Sequence, residues 1–314
     1  MPQVYIVIIK ALPVILLILL GIFLRRTGLI KKTTVDDLKK IVINIALPST
    51  LFLTFAGTIF QSNYLWIFVC VFAVCLLMLF AGMGIRKVLS SDNKFYPALF
   101  AGFEAGMMGY ALFTSFFGAQ NTYKFAIIDV GQVVFVFFVL AAFLQSQSGE
   151  KTSVSKLVKG FILSPIIISI ILGILVGSTG LFAAVSAYPV TGAFTDTLKL
   201  LGSMTQPLIC IVIGYELHMQ VNNIREPLLT VLLRMCILLG IAFLLNTFLI
   251  DKALHLDKSF QLAVYTMFLL PPPFVIPIYM GESSGKQKPV ILNTISLHVL
   301  FSLIAFVVLV SIMQ

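Results

Sequence analysis

The sequence predicts an all-α membrane protein of about ten transmembrane helices, arranged as two inverted five-helix repeats whose fourth and ninth helices are broken and cross. Three observations carry that prediction. Of 314 residues, 60% are hydrophobic and only 11% charged, whereas soluble domains carry roughly a quarter charged residues. The apolar residues gather in runs of about twenty, the length a helix needs to cross a bilayer. Two of these runs, in matching places of the two halves, hold residues that a continuous helix cannot accommodate.

The runs lie near 4–24, 39–60, 64–85, 96–117, 124–144, 158–178, 197–217, 228–250, 260–280 and 289–312. Polar backbone cannot face lipid, and the runs far exceed the strands of about ten alternating residues found in membrane barrels, so each reads as a helix. The first, Val4 to Leu24, ends in Arg25 and Arg26 without a small-residue cleavage site. It is expected to be a retained span rather than a signal peptide.

Connections after odd-numbered spans carry Arg25, Arg26, Lys31, Lys32, Lys39, Lys40, Arg86, Lys87, Lys94, Lys151, Lys156, Lys159, Arg225, Lys286 and Lys288. Those after even-numbered spans carry Lys124, Lys252 and Lys258. The positive-inside rule therefore expects odd-numbered loops in the cytoplasm and both termini outside the cytoplasmic membrane. The net charge of +9 thus reads as orientation and not as nucleic-acid binding. Inside or at the edge of spans stand Lys10 and Lys199, expected to reach an interface, and Arg234, which could do the same or meet a carboxylate substrate. Glu216 and His218 read as interfacial ends.

The polar stretch from Gln145 to Gly160 divides the chain in two. A shift of 159 residues sets Asp37 on Asp196, Lys40 on Lys199 and Pro48 on Pro207. Five spans per half is an odd number, so matching halves must insert with opposite orientation. The expected organisation is a first repeat over 1–144, a cytoplasmic connecting loop over 145–157 and a second repeat over 158–314.

Three consecutive prolines, Pro271, Pro272 and Pro273, cannot continue a helix, because each lacks an amide donor and clashes with the preceding turn. In the fourth span the corresponding stretch runs Gly102, Phe103, Glu104, Ala105, Gly106, Met107, Met108, Gly109. Its three glycines loosen the helix and let another backbone approach, or simply ease close helix packing. Breaks at membrane depth leave carbonyls on one half-helix and amides on the next, and the amide ends attract anions.

Glu104 lies mid-span, where a carboxylate is costly, and Asp129 lies in the fifth span; both are functional candidates, as coupling sites or as structural hydrogen bonders. Asp129 and Gln132 share a helix face, as do Asn293 and Ser296 in the tenth span. Pro48 and Pro207 read as kinks, with Asn44 and Gln206 preceding them. His298 reads as a packed hydrogen-bonding histidine. Cys70, Cys75, Cys210 and Cys236 form no CxxC pair and read as packing residues. The histidines lack metal-binding spacing and no hydrolase elbow or Walker loop occurs, so neither an enzyme nor a metal site is expected.

The stretches NIALPSTLF in the second span, FEAGMMGYALF in the fourth and LLPPPFVIP in the ninth resemble the auxin efflux carrier family, in particular bacterial relatives of the plant auxin exporters that include proposed malate and malonate permeases. The resemblance covers essentially the whole chain. It implies an elevator-type secondary carrier, with a scaffold and a transport unit built around the crossing helices. In that family the first crossing motif commonly reads asparagine, then glycine two and five residues later. Gly106 and Gly109 match, which sets Glu104 at the asparagine position, and Ala111 replaces the usual following proline. An acid in place of an amide departs from auxin-like recognition and favours cation coupling, or a cationic or zwitterionic substrate. The long central loop of many plant exporters is absent.

Together these readings give an expected secondary active transporter of a small organic acid. The expected substrate contacts are Glu104, Ala105, Gly106, Met107, Gly109, Pro271, Pro272, Pro273, Asn293, Ser296, Asn44 and Gln206. Glu104, Asp129 and Gln132 would serve a coupling proton or sodium ion, and no other cofactor is expected. The partners are an organic anion and the bilayer, with no nucleic acid; a homodimer is left open. The alternative is a membrane receptor that binds a ligand in the same pocket without moving it.

Overall fold

Main chain that cannot bond to water must bond to itself, and among the described residues the computed structural model is helical, with no strand. It describes residues 3–58, 61–89, 91–149, 153–179, 182, 189–217, 224–280 and 287–313, with the main chain alone at 3–8, 10, 11, 189 and 190. The helices are α1 (Gln3–Thr27), α2 (Lys32–Ala56), α3 (Tyr64–Val88), α4 (Ala105–Phe117), α5 (Ala119–Ser148), α6 (Val154–Ile162), α7 (Pro165–Ser178), α8 (Pro189–Ser203), α9 (Thr205–Glu216), α10 (Arg225–Ala253), α11 (Lys258–Leu269) and α12 (Gln287–Met313). By length and composition α2, α3, α5, the run Thr191–Glu216, α10 and α12 can each cross a membrane. Helices α6 and α7 make a seventh candidate, bent by 51° at the break before Pro165.

Their outer surfaces invert the pattern of a soluble protein. Leu16, Phe23, Trp66, Phe80, Phe248 and Ile304 are all exposed, and so much outward apolar surface is stable only against lipid or a partner. These helices belong to a multi-span integral membrane protein.

Several boundaries differ from those read off the sequence. Proline biases the residue before it away from helix, and Ser164 is accordingly extended ahead of Pro165, which bends the sixth run. Lys124, assigned to a connection, is buried within α5, because that helix starts several residues earlier than its apolar run suggests. The polar stretch after the fifth run is helical to Ser148 and stops at Gly149 in the left-handed conformation, a common helix end. His218, Lys151, Lys286 and the side chain of Lys10 lie outside the described residues.

The chain divides into two compact units. Unit 1 is Met1–Tyr64, Gly106–Ala126 and Gly160–Leu217; unit 2 is Leu65–Ala105, Ile127–Lys159 and His218–Gln314. In unit 1, α1 packs along α9, and α2 packs between α7 and α8. Glycine makes these contacts close. A Cβ on Gly214 would stand 1.9 Å from the carbonyl oxygen of Ile18, and one on Gly177 would stand 2.6 Å from that of Phe55. Arg25 donates to the carbonyls of Tyr215 and Leu217 at the end of α9, where a cation complements the helix dipole. Lys39 pairs with Glu216, so Glu216 does close a helix end.

Pro48 and Pro207 are handled differently. Helix α2 widens into a π turn over Val42–Ala46, just before Pro48, one of the ways a helix absorbs a disturbed hydrogen-bond ladder. At Pro207 the helix is interrupted instead, at Met204, and α9 restarts with the proline in its first turn, where a missing amide costs nothing.

In unit 2, α10 packs against α11 and α12. Of the cysteines, Cys75 and Cys210 are buried as expected of packing residues, but Cys236 is exposed, because its face of α10 points outward.

Gly214→Val is expected to lower the thermal midpoint of the detergent-solubilised protein, overpacking being worth about 1–3 kcal/mol. Gly84→Ala, where an added Cβ meets nothing within 4 Å, should hold or raise it. Thermal unfolding of both variants checks the contrast.

Candidate functional site

Both interrupted runs lie open at the expected places, and unit 2 brings them together. After a single 3₁₀ turn at Tyr96–Leu99, the chain is non-helical through Gly102, Phe103 and Glu104 before α4 begins. Helix α11 ends at Leu269, Leu270 is extended, and Pro271, Pro272 and Pro273 lie outside any helix before a short 3₁₀ turn at Ile276–Ile278. The Glu104 amide donates to the Pro271 carbonyl at 2.9 Å. In return the Phe274 amide donates to Glu104 Oε2 at 2.5 Å. The carboxylate therefore sits on the amide end of the second stretch, where the sequence reading put a substrate anion.

Gly102 makes the approach feasible. Its φ is +71°, and a Cβ there would stand 2.9 Å from Pro273 Cγ and 3.4 Å from Gln132 Oε1. Two independent demands, a left-handed backbone and close contact, thus fall on one glycine.

The open backbone of the first stretch is satisfied by side chains. Gln132 accepts from the Phe103 amide at 3.3 Å and donates to the Phe103 carbonyl at 3.0 Å. It also donates to Asp129 Oδ1 at 3.1 Å, so the two share a face and Gln132 reaches the open stretch. Both are buried, at 3% and 5% exposure. Arg234, from α10, is wholly buried. It donates to the carbonyls of Leu99 and Gly102 at 2.7 Å each and of Leu270 at 3.4 Å. This corrects the reading of Arg234 as reaching an interface. His298 bonds Ser302 at 3.0 Å, and Ser302 donates to the Leu269 carbonyl at 2.5 Å, so the histidine is a packed one as expected.

Other candidates fall elsewhere. Asn293 and Ser296 are buried on α12. Ala105 and Met107 are buried in the π turn Ala105–Gly109 that also holds Gly106 and Gly109. In unit 1 Asn44 is exposed and donates to the Lys40 carbonyl one turn back. Gln206 lines a separate cavity in that unit, of about 680 Å³, whose wall carries Thr50, Thr54, Thr58, Thr205 and Lys199. Lys199 is exposed and paired with Asp196 at 2.9 Å, so it reaches this cavity as well as solvent. Thr50 and Thr54 stand one turn apart on a face of α2, and Thr58 follows just past its end. That hydroxyl row was readable in the sequence, although only Pro48 and Asn44 were singled out there. Among the described residues no cluster of three metal-ligating side chains occurs.

A helical membrane protein with two interrupted runs bonded to each other is the form a carrier takes. Residues 6–312 match the family described as membrane transport protein. The chain belongs to that family, the auxin efflux carrier-like transporters that its motifs resemble, and its class is transport rather than enzymatic conversion. It is also similar to an uncharacterized transporter of Methanocaldococcus jannaschii, 28% identical over 213 residues, or 65% of this chain and 67% of the relative.

Gly102→Ala is expected to cost roughly 1–2 kcal/mol from the left-handed backbone alone, and the displaced Pro273 adds to it. Gln132→Leu leaves the Phe103 amide and carbonyl unpaired, at about 1–3 kcal/mol for each group. Chemical unfolding that finds either variant as stable as the wild type would remove this account of the break.

Proposed function

We propose that this protein is a secondary active transporter that moves a small organic acid across the cytoplasmic membrane by an elevator-type alternating-access mechanism. The observation that carries the reading is the reciprocal bonding at Glu104: its amide to Pro271, its carboxylate to the Phe274 amide. The Phe274 amide accommodates a carboxylate, and a carboxylate cargo would use the same group once Glu104 gives it up. Protonation of Glu104, or a sodium ion beside it, would weaken its hold on that amide, which gives the coupling ion a direct route to the substrate site. Asp129 and Gln132 stand one side chain further out and would share the coupling role. The remaining candidate contacts are Ala105, Gly106, Met107, Gly109, Pro271, Pro272, Pro273, Asn293 and Ser296, with Asn44 and Gln206 on the unit 1 side.

Ten spans in two inverted repeats, 1–144 and 158–314, joined through 145–157, and both termini outside, remain our reading of the topology. It is supported by the make-up of the two units. Unit 1 takes α1, α2 and nearly all of α4 from the first half and α7 to α9 from the second; unit 2 takes α3 and most of α5 from the first and most of α6 with α10 to α12 from the second. Each unit thus draws on both halves, as a scaffold and a transport unit built from repeats would. The unit 1 cavity of about 680 Å³, mostly apolar with a few polar side chains on its wall, is of a size that suits a small ligand.

The test is uptake into proteoliposomes, with a panel of radiolabelled small carboxylates under imposed proton and sodium gradients. Glu104→Gln is expected to reduce gradient-driven uptake at least about fivefold, the lower end of coupling free energies between sites, while exchange without a gradient persists. Full gradient-driven uptake by the variant would sink the coupling role, and failure of the wild type to carry any carboxylate would sink the substrate class.

A further inference from the structure

We propose that Arg234 is the positioning residue of the crossing: its guanidinium grips the carbonyl ends of both interrupted stretches, and by doing so holds Glu104 against the Phe274 amide. Its partners form a closed circuit. Arg234 bonds Gly102, two residues before Glu104; Glu104 bonds Pro271; and Leu270, adjacent to Pro271, bonds Arg234. Each link joins one stretch to the other or to α10, so loosening the guanidinium releases both stretches together.

The chemistry suits the role. A half-helix ends in unpaired carbonyls with partial negative charge, and two such ends side by side repel. A guanidinium offers several donors in a rigid plane and stays charged when buried. Here it answers three carbonyls from the two stretches, and no carboxylate is paired with it among the described residues. Among the described residues its Nε is buried without a hydrogen-bond partner. The plane is steadied from below. The Phe103 ring lies 5.3 Å from the guanidinium carbon and stacks on Phe268 at 5.1 Å and 9°, which again joins a residue of the first stretch to one at the end of α11.

Hydrogen exchange on the full chain in lipid nanodiscs, read at the Glu104 and Phe274 amides, tests the assignment whatever the cargo. In the wild type both amides are expected to open at one common rate. Arg234→Met, similar in length but uncharged, should accelerate both at least about tenfold, a sub-global opening of one cooperative piece. Arg234→Lys should recover most of the protection at both, because a cation still faces the carbonyl ends. Ser302→Ala, which removes a donor to the Leu269 carbonyl at the end of α11 but leaves the guanidinium in place, should accelerate both amides less than Arg234→Met does, and an equal acceleration overturns the proposal. A packing role would let Arg234→Met protect as well as Arg234→Lys, and that result overturns the proposal. So does acceleration of one amide only in an Arg234 variant. Where Arg234→Met fails to fold, Phe103→Leu keeps the guanidinium but removes the ring beneath it. It should again speed both amides, and speeding only one overturns the proposal.

Discussion

Main chain buried at membrane depth has no water to bond to, and each unpaired amide or carbonyl there costs several kcal/mol. Two runs of this chain give up their helices among buried residues, and unit 2 satisfies much of the backbone this opens. Gln132 answers both polar atoms of Phe103, Arg234 collects carbonyls from the two stretches, and Glu104 closes the exchange with Pro271 and Phe274. Polar side chains that would be a liability in lipid become necessary where the backbone is open. The same opening leaves the Phe274 amide facing the Glu104 carboxylate.

Both units use glycine to bring backbones together: α1 meets α9 and α2 meets α7 in unit 1, and Gly131 meets Phe68 and Gly82 meets Pro97 in unit 2. Unit 2 adds charged and amide side chains bonded to open backbone. Unit 1 carries a cavity with threonines on its wall. Small residues let helices in lipid approach closely enough for dispersion and carbonyl contacts to replace the missing hydrophobic drive.

Much of this was legible in the residues. Three prolines in a row could not be helical, and three glycines around Glu104 marked the partner stretch. Both stretches are open and touching. Asp129 and Gln132, three residues apart, were readable as one face. The role of Arg234 was not legible, because apolar residues flank it in the chain and its three partners lie 36 to 135 residues away. Position along the run suggested a nearby surface, and only the tertiary structure shows the carbonyl ends. Lys124 was misassigned for a related reason: hydropathy marks where a run becomes apolar, while the helix begins earlier on polar residues. The bend before Pro165 leaves no mark in hydropathy, since a run that stays apolar through a proline loses only its straightness.

A seam of bare backbone has a mechanical consequence. Where Gly214 receives Ile18 and Gly177 receives Phe55, there is no side chain that can swing to another rotamer and absorb a displacement. Such rods neither slide nor roll past each other by small steps; they travel as one stiff piece or they come apart.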